Sequence, residues 1–388
     1  MKTYIVVILA IAGQLVAADP QQQLALSAAT SGFSQRLYQK VALNRENVVY
    51  SPYSIHSALS MTSLGARGET ATEMAETLGV SSLGPAVHTI YKELITQLNS
   101  NTDVEINTGN AIFVNPRYTI VPQFITDVRD YYFAKADNFD LSAPGGPEEK
   151  INDYISRATK NTIMNTLEKG FIKRNTVMLL VNTLFFNGTW ESQFPKYNTR
   201  SERFYKPGGL VTKVDMMEGN FEIFYKEDAT NKVDVAELPF KGERFSLFIV
   251  IPHKVDGINA LEQLLATPGK VDELFTGLEQ TFMSVSIPKF TTETEVELSE
   301  TLIDLGMVKA FNSADFSGMV KGANVAIDKV IHKAKIVVME TGTVAAAATV
   351  VALKESGTSL FFKADHPFLY FIRDKVTGHI FFQGKFSG

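Results

Sequence analysis

Glu340-Thr-Gly-Thr-Val-Ala-Ala-Ala-Ala-Thr349 is the stretch that decides the fold prediction, and it follows a strand-like run, Ala334–Met339. Four consecutive alanines favour a helix, whereas the β-branched residues on either side favour a strand. Because these preferences compete, the segment can remain an exposed loop or join a sheet. Such ambiguity is typical of a chain whose function depends on a change of shape.

The same segment meets the demands of insertion into a sheet. If residues 343–352 became a strand, Thr343, Ala345, Ala347 and Thr349 would face one side, because side chains alternate along a strand. All four are small and uncharged, and an unpaired charge buried there would be costly. No proline lies between residues 340 and 357, so no ladder donor would be missing. Gly342 gives the pivot its backbone freedom.

The quoted stretch resembles the hinge of the inhibitory serpins, and other motifs carry the same resemblance in the family's order. These are Asn47–Ile55 (NVVYSPYSI), Leu64–Thr70 (LGARGET), Val181–Trp190 (VNTLFFNGTW), Ile331–Ala334 (IHKA) and Asp365–Ile372 (DHPFLYFI). The resemblance covers essentially all of the chain after residue 19. It implies a serpin fold of three β-sheets and about nine helices, with an exposed reactive-centre loop at about residues 340–362.

Hydrophobic periodicity indicates an α+β domain independently of the family, because helical patterns come first and strands later. Helical patterns cover Leu24–Leu43, Ser54–Leu64, Glu69–Leu78, Ala86–Leu98 and Pro147–Ala158. Strand patterns cover Val177–Phe186, Phe245–Ile251, Phe282–Ile287, Phe368–Ile372 and Ile380–Phe382. The run from Val177 is almost continuously apolar, as a strand buried on both faces requires. Residues 374–378 are a predicted hairpin turn.

Residues 1–18 are predicted to be a secretory signal peptide, cleaved after Ala18, and residues 19–388 a single domain. A positive start at Lys2, an apolar run and small residues before Asp19 support this prediction, and the run is too short for a membrane anchor. We therefore expect a secreted, extracellular protein without a membrane span. Asn187-Gly188-Thr189 is an N-glycosylation sequon, so the protein is a candidate glycoprotein.

Composition limits the possible partners and chemistry. The net charge of −5 argues against nucleic-acid binding, which usually shows a basic excess, and suits a soluble monomer. The chain has no cysteine, which excludes thiol catalysis and cysteine-ligated metal. We found no His-x-x-x-His pair, no Gly-x-Ser-x-Gly elbow and no phosphate-binding glycine loop. The sequence therefore predicts no enzyme, no metal and no required cofactor.

The resemblance implies a mechanism in which the loop is bait for a serine protease. Cleavage forms an acyl-enzyme, and the freed loop inserts into the central sheet before deacylation ends. About 15 residues at roughly 3.4 Å each would carry the protease some 50 Å. Such a native state is kinetically trapped above its free-energy minimum; serpin loop insertion is among the best-known transitions of this kind.

Three positions remain candidates for the residue before the cleaved bond. Family spacing, counted from Glu340 or back from Pro367, gives Ser356. Because serine often follows the cut in this family, Glu355–Ser356 ranks first. A trypsin-like target would instead select Lys354. The candidates predict a trypsin-like protease for Lys354, an acid-tolerant one for Glu355 and a small-pocket one for Ser356.

The resemblance also assigns two groups of residues around the central sheet. Ser51, Ser54, Asn182 and His332 match a polar cluster beneath the sheet, which is stable only if its members pair. Trp190, Lys289 and Glu340 match the region where the loop enters the sheet, and Lys289 and Glu340 should form an ion pair there. Taken without the family, each is more simply an ordinary satisfied polar residue.

Basic residues offer a weaker prediction, a site for a sulfated polysaccharide such as a heparin-like glycosaminoglycan. They are Lys169, Lys173, Arg174, Lys196, Arg200, Arg203 and Lys206. A solvated charged surface is the simpler interpretation. The segment that matches the heparin-binding helix of some serpins, Ala86–Leu98, offers only His88 and Lys92 as basic groups.

Two functions compete at this stage. The first is a secreted serine protease inhibitor that acts as a suicide substrate. The alternative is a non-inhibitory serpin that serves as a carrier, storage protein or chaperone. Such members often have bulky or charged hinge residues, and residues 343–349 include none, which favours the inhibitor.

Overall fold

The computed structural model describes residues 19–322, 325–343 and 360–388. Its first helix shows how local sequence sets an element: the Asp19 side chain accepts a hydrogen bond from Gln21 N, and Pro20 occupies the first turn. The α-helices of the described residues are α1 (Pro20–Val41), α2 (Pro52–Ser63), α3 (Gly68–Leu78), α4 (Ala86–Asn99), α5 (Pro122–Tyr132), α6 (Pro147–Ala158), α7 (Ile258–Leu265), α8 (Lys270–Leu274) and α9 (Ser299–Asp304).

The β-strands of the described residues form two hydrogen-bonded sheets of six and nine strands. They are β1 (Val48–Tyr50), β2 (Val104–Thr108), β3 (Ala111–Val114), β4 (Lys135–Asn138), β5 (Met178–Gly188), β6 (Arg200–Tyr205), β7 (Val211–Asp228), β8 (Val233–Pro239), β9 (Phe245–Pro252), β10 (Glu279–Pro288), β11 (Phe290–Glu297), β12 (Lys329–Val338), β13 (Leu360–Lys363), β14 (Phe368–Asp374) and β15 (Ile380–Phe386).

The six-stranded sheet has the order β11-β12-β5-β3-β4, with β2 also paired to β5. Its central pair, β12 and β5, is parallel. Helix α2 packs against β5 on one face, and Ile151 and Ile155 of α6 join Leu179 and Val181 in a hydrophobic cluster on the other. Because helices cover both faces, β5 needs the almost continuous apolar run that the sequence has.

The nine-stranded sheet has the order β1-β15-β14-β9-β8-β7-β10-β13, with β6 also paired to β7. The 18-residue β7 joins two parts of it: its last residues pair with β8, and its earlier residues pair with β10 and β6. The three sheets implied by the resemblance therefore appear as two continuous ones, because two of them share β7.

The predicted α+β fold is confirmed, and the predicted helices correspond to α1, α2, α3, α4 and α6. Helix α5 and strand β7 were not predicted. β7 alternates buried and exposed residues over Gly219–Ile223, but exposed polar residues dominate its first half, which hides the strand pattern. Within the described ranges, no helix combines the length and apolar character that a membrane crossing requires.

Candidate functional site

The candidate site is the boundary between the parallel strands β5 and β12. Residues Leu179–Leu184 of β5 pair with Lys329–Ala334 of β12, a stretch that we call the lower seam. Beyond it, the described residues show no pairing between the two strands, although β12 still pairs with β11 and β5 still pairs with β2. This second half, residues 185–188 and 335–338, is the upper seam. Its two strand edges face a ready position for another strand.

Four polar residues that the sequence singled out meet beneath the lower seam. The imidazole of His332 lies between Asn182, with Nδ1 and Oδ1 2.6 Å apart, and the backbone N of Ser51, 3.1 Å from Nε2. Asn182 Nδ2 donates to the carbonyl oxygen of Ser54 at 2.8 Å. Ser51 caps α2, since its Oγ accepts from Ser54 N at 3.1 Å. The residues are buried, so their mutual hydrogen bonds are needed to offset lost hydration.

These partners fix the tautomer of His332. A backbone N–H can only donate, so Nε2 of His332 accepts and Nδ1–H donates to Asn182. Burial lowers the pKa of His332 to about 3, and the ring is therefore neutral at physiological pH. Protonation would place an N–H at Nε2 against the Ser51 N–H. The lower seam thus depends on an uncharged imidazole.

Asn110 is a member of this cluster that sequence reasoning missed. Its Oδ1 accepts from Asn182 Nδ2 and from Ser54 Oγ, and its backbone oxygen accepts from Tyr154 Oη of α6 at 2.8 Å. Hydrogen bonds therefore connect the cluster below the sheet with the helix above it. The only sequence signal was one polar side chain directly before the apolar run of β3. We call Ser51, Ser54, Asn110, Asn182 and His332 the seam cluster.

The chain reverses direction just after β12, at the top of the upper seam. Met339 and Gly342 exchange two backbone hydrogen bonds of 2.9 and 3.0 Å. Thr343 N then donates to the oxygen of Gly188, the last residue of β5, at 2.7 Å, and Thr343 Oγ1 accepts from Gly188 N at 2.6 Å. Thr343 is 2% exposed. The chain that follows β12 thus already contacts β5.

Gly342 is required at this reversal. Its φ of 137° lies in a region that side chains disfavour, and a Cβ atom there would meet the Gly188 oxygen at 2.0 Å. The sequence predicted a pivot at Gly342 because of its backbone freedom. The close approach to β5 is a second reason that only the structure reveals.

Lys289 and Glu340 contact each other beside the reversal. Lys289 Nζ lies 3.1 Å from Glu340 Oε2, and Thr199 Oγ1 donates to Glu340 Oε1 at 2.8 Å. Burial by itself would raise the pKa of Glu340, but hydrogen bonds from its backbone surroundings, Thr199 and Lys289 outweigh burial, so its pKa is lowered. Lys289 is 44% exposed, so solvent screens the pair and limits its contribution to stability.

Trp190 holds the same region from the other side. Its ring stacks on Phe240 with centroids 4.6 Å apart, and its Nε1 donates to the Met339 oxygen at 2.8 Å. Trp190 N also donates to the Thr341 oxygen at 3.1 Å. The indole therefore fixes the reversal by packing and by two hydrogen bonds.

Several predicted positions lie outside the described residues. They are Ala345, Ala347, Thr349, Lys354, Glu355 and Ser356, together with the signal peptide at residues 1–18. Their roles remain predictions from the sequence.

The basic residues do not form one patch. Lys169, Lys173 and Arg174 precede β5, whereas Lys196, Arg200 and Arg203 follow it. Phe194 N bonds to the Glu340 oxygen, so the second group stays at the upper end of β5. An 11-residue strand separates the two groups by about 35 Å. Lys206 pairs with Glu46 at 3.0 Å, which removes it from the free cations.

Asn187 of the sequon is half-buried in β5, where it pairs with Glu105 of β2. A sugar attached there would have to project from a paired strand. The structure therefore gives this sequon less accessibility than a loop would.

Comparisons with known proteins agree on one family. A family model described as "Serpin (serine protease inhibitor)" matches residues 28–388. Serpin B4 of Homo sapiens is 35% identical over 390 residues, covering 93% of this chain and 99% of that protein. The crystal structure of Serpin48, described as a highly specific serpin in the insect Tenebrio molitor, superposes with a TM-score of 0.86 at 29% identity and covers 94% and 98% of the two chains. Human thyroxine-binding globulin, crystallised with its hormone, also gives 0.86, at 27% identity and 94% and 98% coverage.

Proposed function

This chain belongs to the serpin family, whose members are generally protease inhibitors rather than enzymes, and we propose that it is a secreted suicide inhibitor of serine proteases. The observation that carries the proposal is the contact of Thr343 with Gly188 at the top of the upper seam. A chain that reverses after β12 and already bonds to β5 is positioned to continue between the two strands.

The topology of the seam supplies a driving force. The two strands are parallel, and a chain that turns back after β12 would run antiparallel to both. Insertion would replace one parallel boundary by two antiparallel ones, which pair slightly better per residue. Each added backbone hydrogen bond contributes about 0.5–1.5 kcal/mol net, so a strand of a dozen residues gains substantially.

In the proposed reaction the protease's serine oxygen attacks the carbonyl of the residue before the cut. An ester forms, and the new amine leaves with the rest of the chain, which stays folded because β13, β14 and β15 belong to the nine-stranded sheet. The freed upstream segment then enters the upper seam and forces the lower seam apart. Breaking the seam cluster is the cost that keeps the intact molecule from inserting spontaneously.

The test is a covalent complex. The purified protein is incubated with trypsin, chymotrypsin and elastase, and SDS gels are examined for a band at the summed mass. We expect one protease to give that band, and we expect loop cleavage without complex formation to raise the melting temperature by tens of degrees. Sequencing the C-terminal peptide released on denaturation would choose among Lys354, Glu355 and Ser356.

The second candidate, a non-inhibitory carrier, draws support from the fold likeness to thyroxine-binding globulin. A carrier should be cleaved in its loop without trapping any protease and should gain little heat resistance. If that pattern appears with every protease tested, the inhibitor proposal is wrong.

Secretion and surface chemistry complete the proposal. We expect expressed full-length chain to appear in the culture medium with Asp19 at its N-terminus, as the sequence of residues 1–18 predicts. A polysaccharide activator would have to use one of the two basic groups, since they lie at opposite ends of β5. A heparin column run at increasing salt would detect either one.

A further inference from the structure

Two phenylalanines stand out on the surface of the nine-stranded sheet. Phe282 of β10 is 52% exposed and Phe361 of β13 is 73% exposed. Phe361 pairs with Ser284, two residues beyond Phe282, so both rings lie on one face of neighbouring strands. Diagonal neighbours of this kind are about 7–8 Å apart, within reach of aromatic side chains. A paired aromatic patch in water is typical of an interaction surface.

Carboxylates flank the aromatic pair. Glu222 of β7 pairs directly with Phe282, and Glu218 pairs with Ser286, so both point to the same face. In the part of the chain that the structure describes, neither glutamate forms an ion pair. A surface cleft beside the patch is lined by three further features of the same character: Glu191, Glu243 and the aromatic rings of Trp190, Phe221 and Phe224. The surface thus combines negative charge with exposed aromatic area.

The position of the patch relative to the bait bond limits what can cover it. Leu360 begins β13, so five residue steps join Ser356 to Phe361 and span at most about 17 Å. A protease domain of about 230 residues has a radius of gyration of about 17 Å. A protease bound at any of the three candidate bonds would therefore extend over the patch.

We propose that the face formed by Glu218, Glu222, Phe282 and Phe361 is a second docking surface for the target protease. This inference rests on the proposed inhibitory function. The partner surface is a protease loop outside the active cleft that carries Lys or Arg together with apolar side chains. Opposite charge accelerates the encounter, and aromatic burial slows dissociation. The bait sequence then accounts for only part of the selectivity.

The test measures the second-order rate constant of inhibition for the panel member that forms the covalent complex fastest. The variant Phe282→Ser/Phe361→Ser is compared with Leu24→Ser/Leu43→Ser, whose side chains are each 65% exposed elsewhere. We expect a tenfold or greater loss for the first pair and none for the second, with unchanged melting temperatures and unchanged inhibitor-to-protease stoichiometry. Glu218→Gln/Glu222→Gln should flatten the dependence of the rate on salt, whereas Glu76→Gln/Glu168→Gln should not.

Each other outcome overturns the inference. Rates within twofold of the wild type, with a complex still formed, reject the docking surface and leave the inhibitory function intact. Failure of every protease to form a complex rejects both. Loss of a dimer on gel filtration with an unchanged rate assigns the patch to a second copy of the chain. Faster loop cleavage by thermolysin in the phenylalanine variant, with an unchanged inhibition rate, assigns it to the chain's own residues 344–359.

Discussion

The lower and upper seams are halves of the same strand pair, yet they are held by different means. The lower seam has a continuous parallel register and a fully buried cluster beneath it, built around His332 and Asn182. The upper seam has no β5–β12 pairing in the described residues, and its surroundings include a partly exposed ion pair, Lys289–Glu340. The comparison indicates that one half is built to resist opening and the other to admit a strand.

The largest effect should come from closing the upper seam to insertion. Thr343→Arg puts a long charged side chain at a position that is 2% exposed and bonded to Gly188. We expect the variant to be cleaved as a substrate, with covalent complex falling at least tenfold on SDS gels. Thr343→Ser, which keeps the hydroxyl, should still form complex. Full complex yield from the arginine variant would show that Thr343 does not lie on the inserting face.

The next effect should come from opening the lower seam. His332→Ala leaves Asn182 Oδ1 and Ser51 N without their buried partner and creates a cavity. We expect unfolding to become easier by about 3–5 kcal/mol, measured as the midpoint in guanidinium chloride. His253→Ala, at a half-exposed histidine far from the seam, is the matched control and should cost much less. Equal losses in the two variants would remove the seam cluster's special role.

Acid should weaken the lower seam as well. The pKa of His332 is lowered by burial to about 3 in the folded chain, so below about pH 6.5 the unfolded chain binds more protons. Stability from this group is therefore complete above pH 6.5 and falls as the pH drops towards 3, by about 1.4 kcal/mol per pH unit. His332→Gln should be less pH-dependent than the wild type by that slope between pH 6 and 4. The same slope in both proteins would contradict the assignment.

The smallest effect is expected at the upper seam's ion pair. Lys289→Met removes a cation that is 44% exposed, and the loss of stability should stay below about 1 kcal/mol. The difference from the wild type should shrink further in 1 M salt, because salt screens exposed pairs. Thermal unfolding at two salt concentrations measures it. A loss of several kcal/mol would mean that the pair, and not the seam cluster, holds the sheet closed.

The sequence predicted elements best where a segment carried one strong pattern. β5 and its burial on both faces followed from the run of apolar residues, and α6 followed from its proline and acidic start. Asn110 and Tyr154 could not be predicted as partners of the seam cluster, because a hydrogen bond across a sheet joins residues with no sequence signal in common. The basic residues show the converse, since similarity in charge suggested a relation that the fold does not provide.

What the sequence determined by itself was a chain with small, uncharged residues after a strand, together with motifs that place it in one family. Periodicity and local conformational preference are properties of neighbouring residues, so they can be read without coordinates. Only the tertiary structure decided that β5 and β12 separate above Ala334, that Thr343 reaches Gly188, and that Phe282 and Phe361 share an exposed acidic face. These are contacts between distant segments, and their geometry depends on how the whole sheet twists and packs.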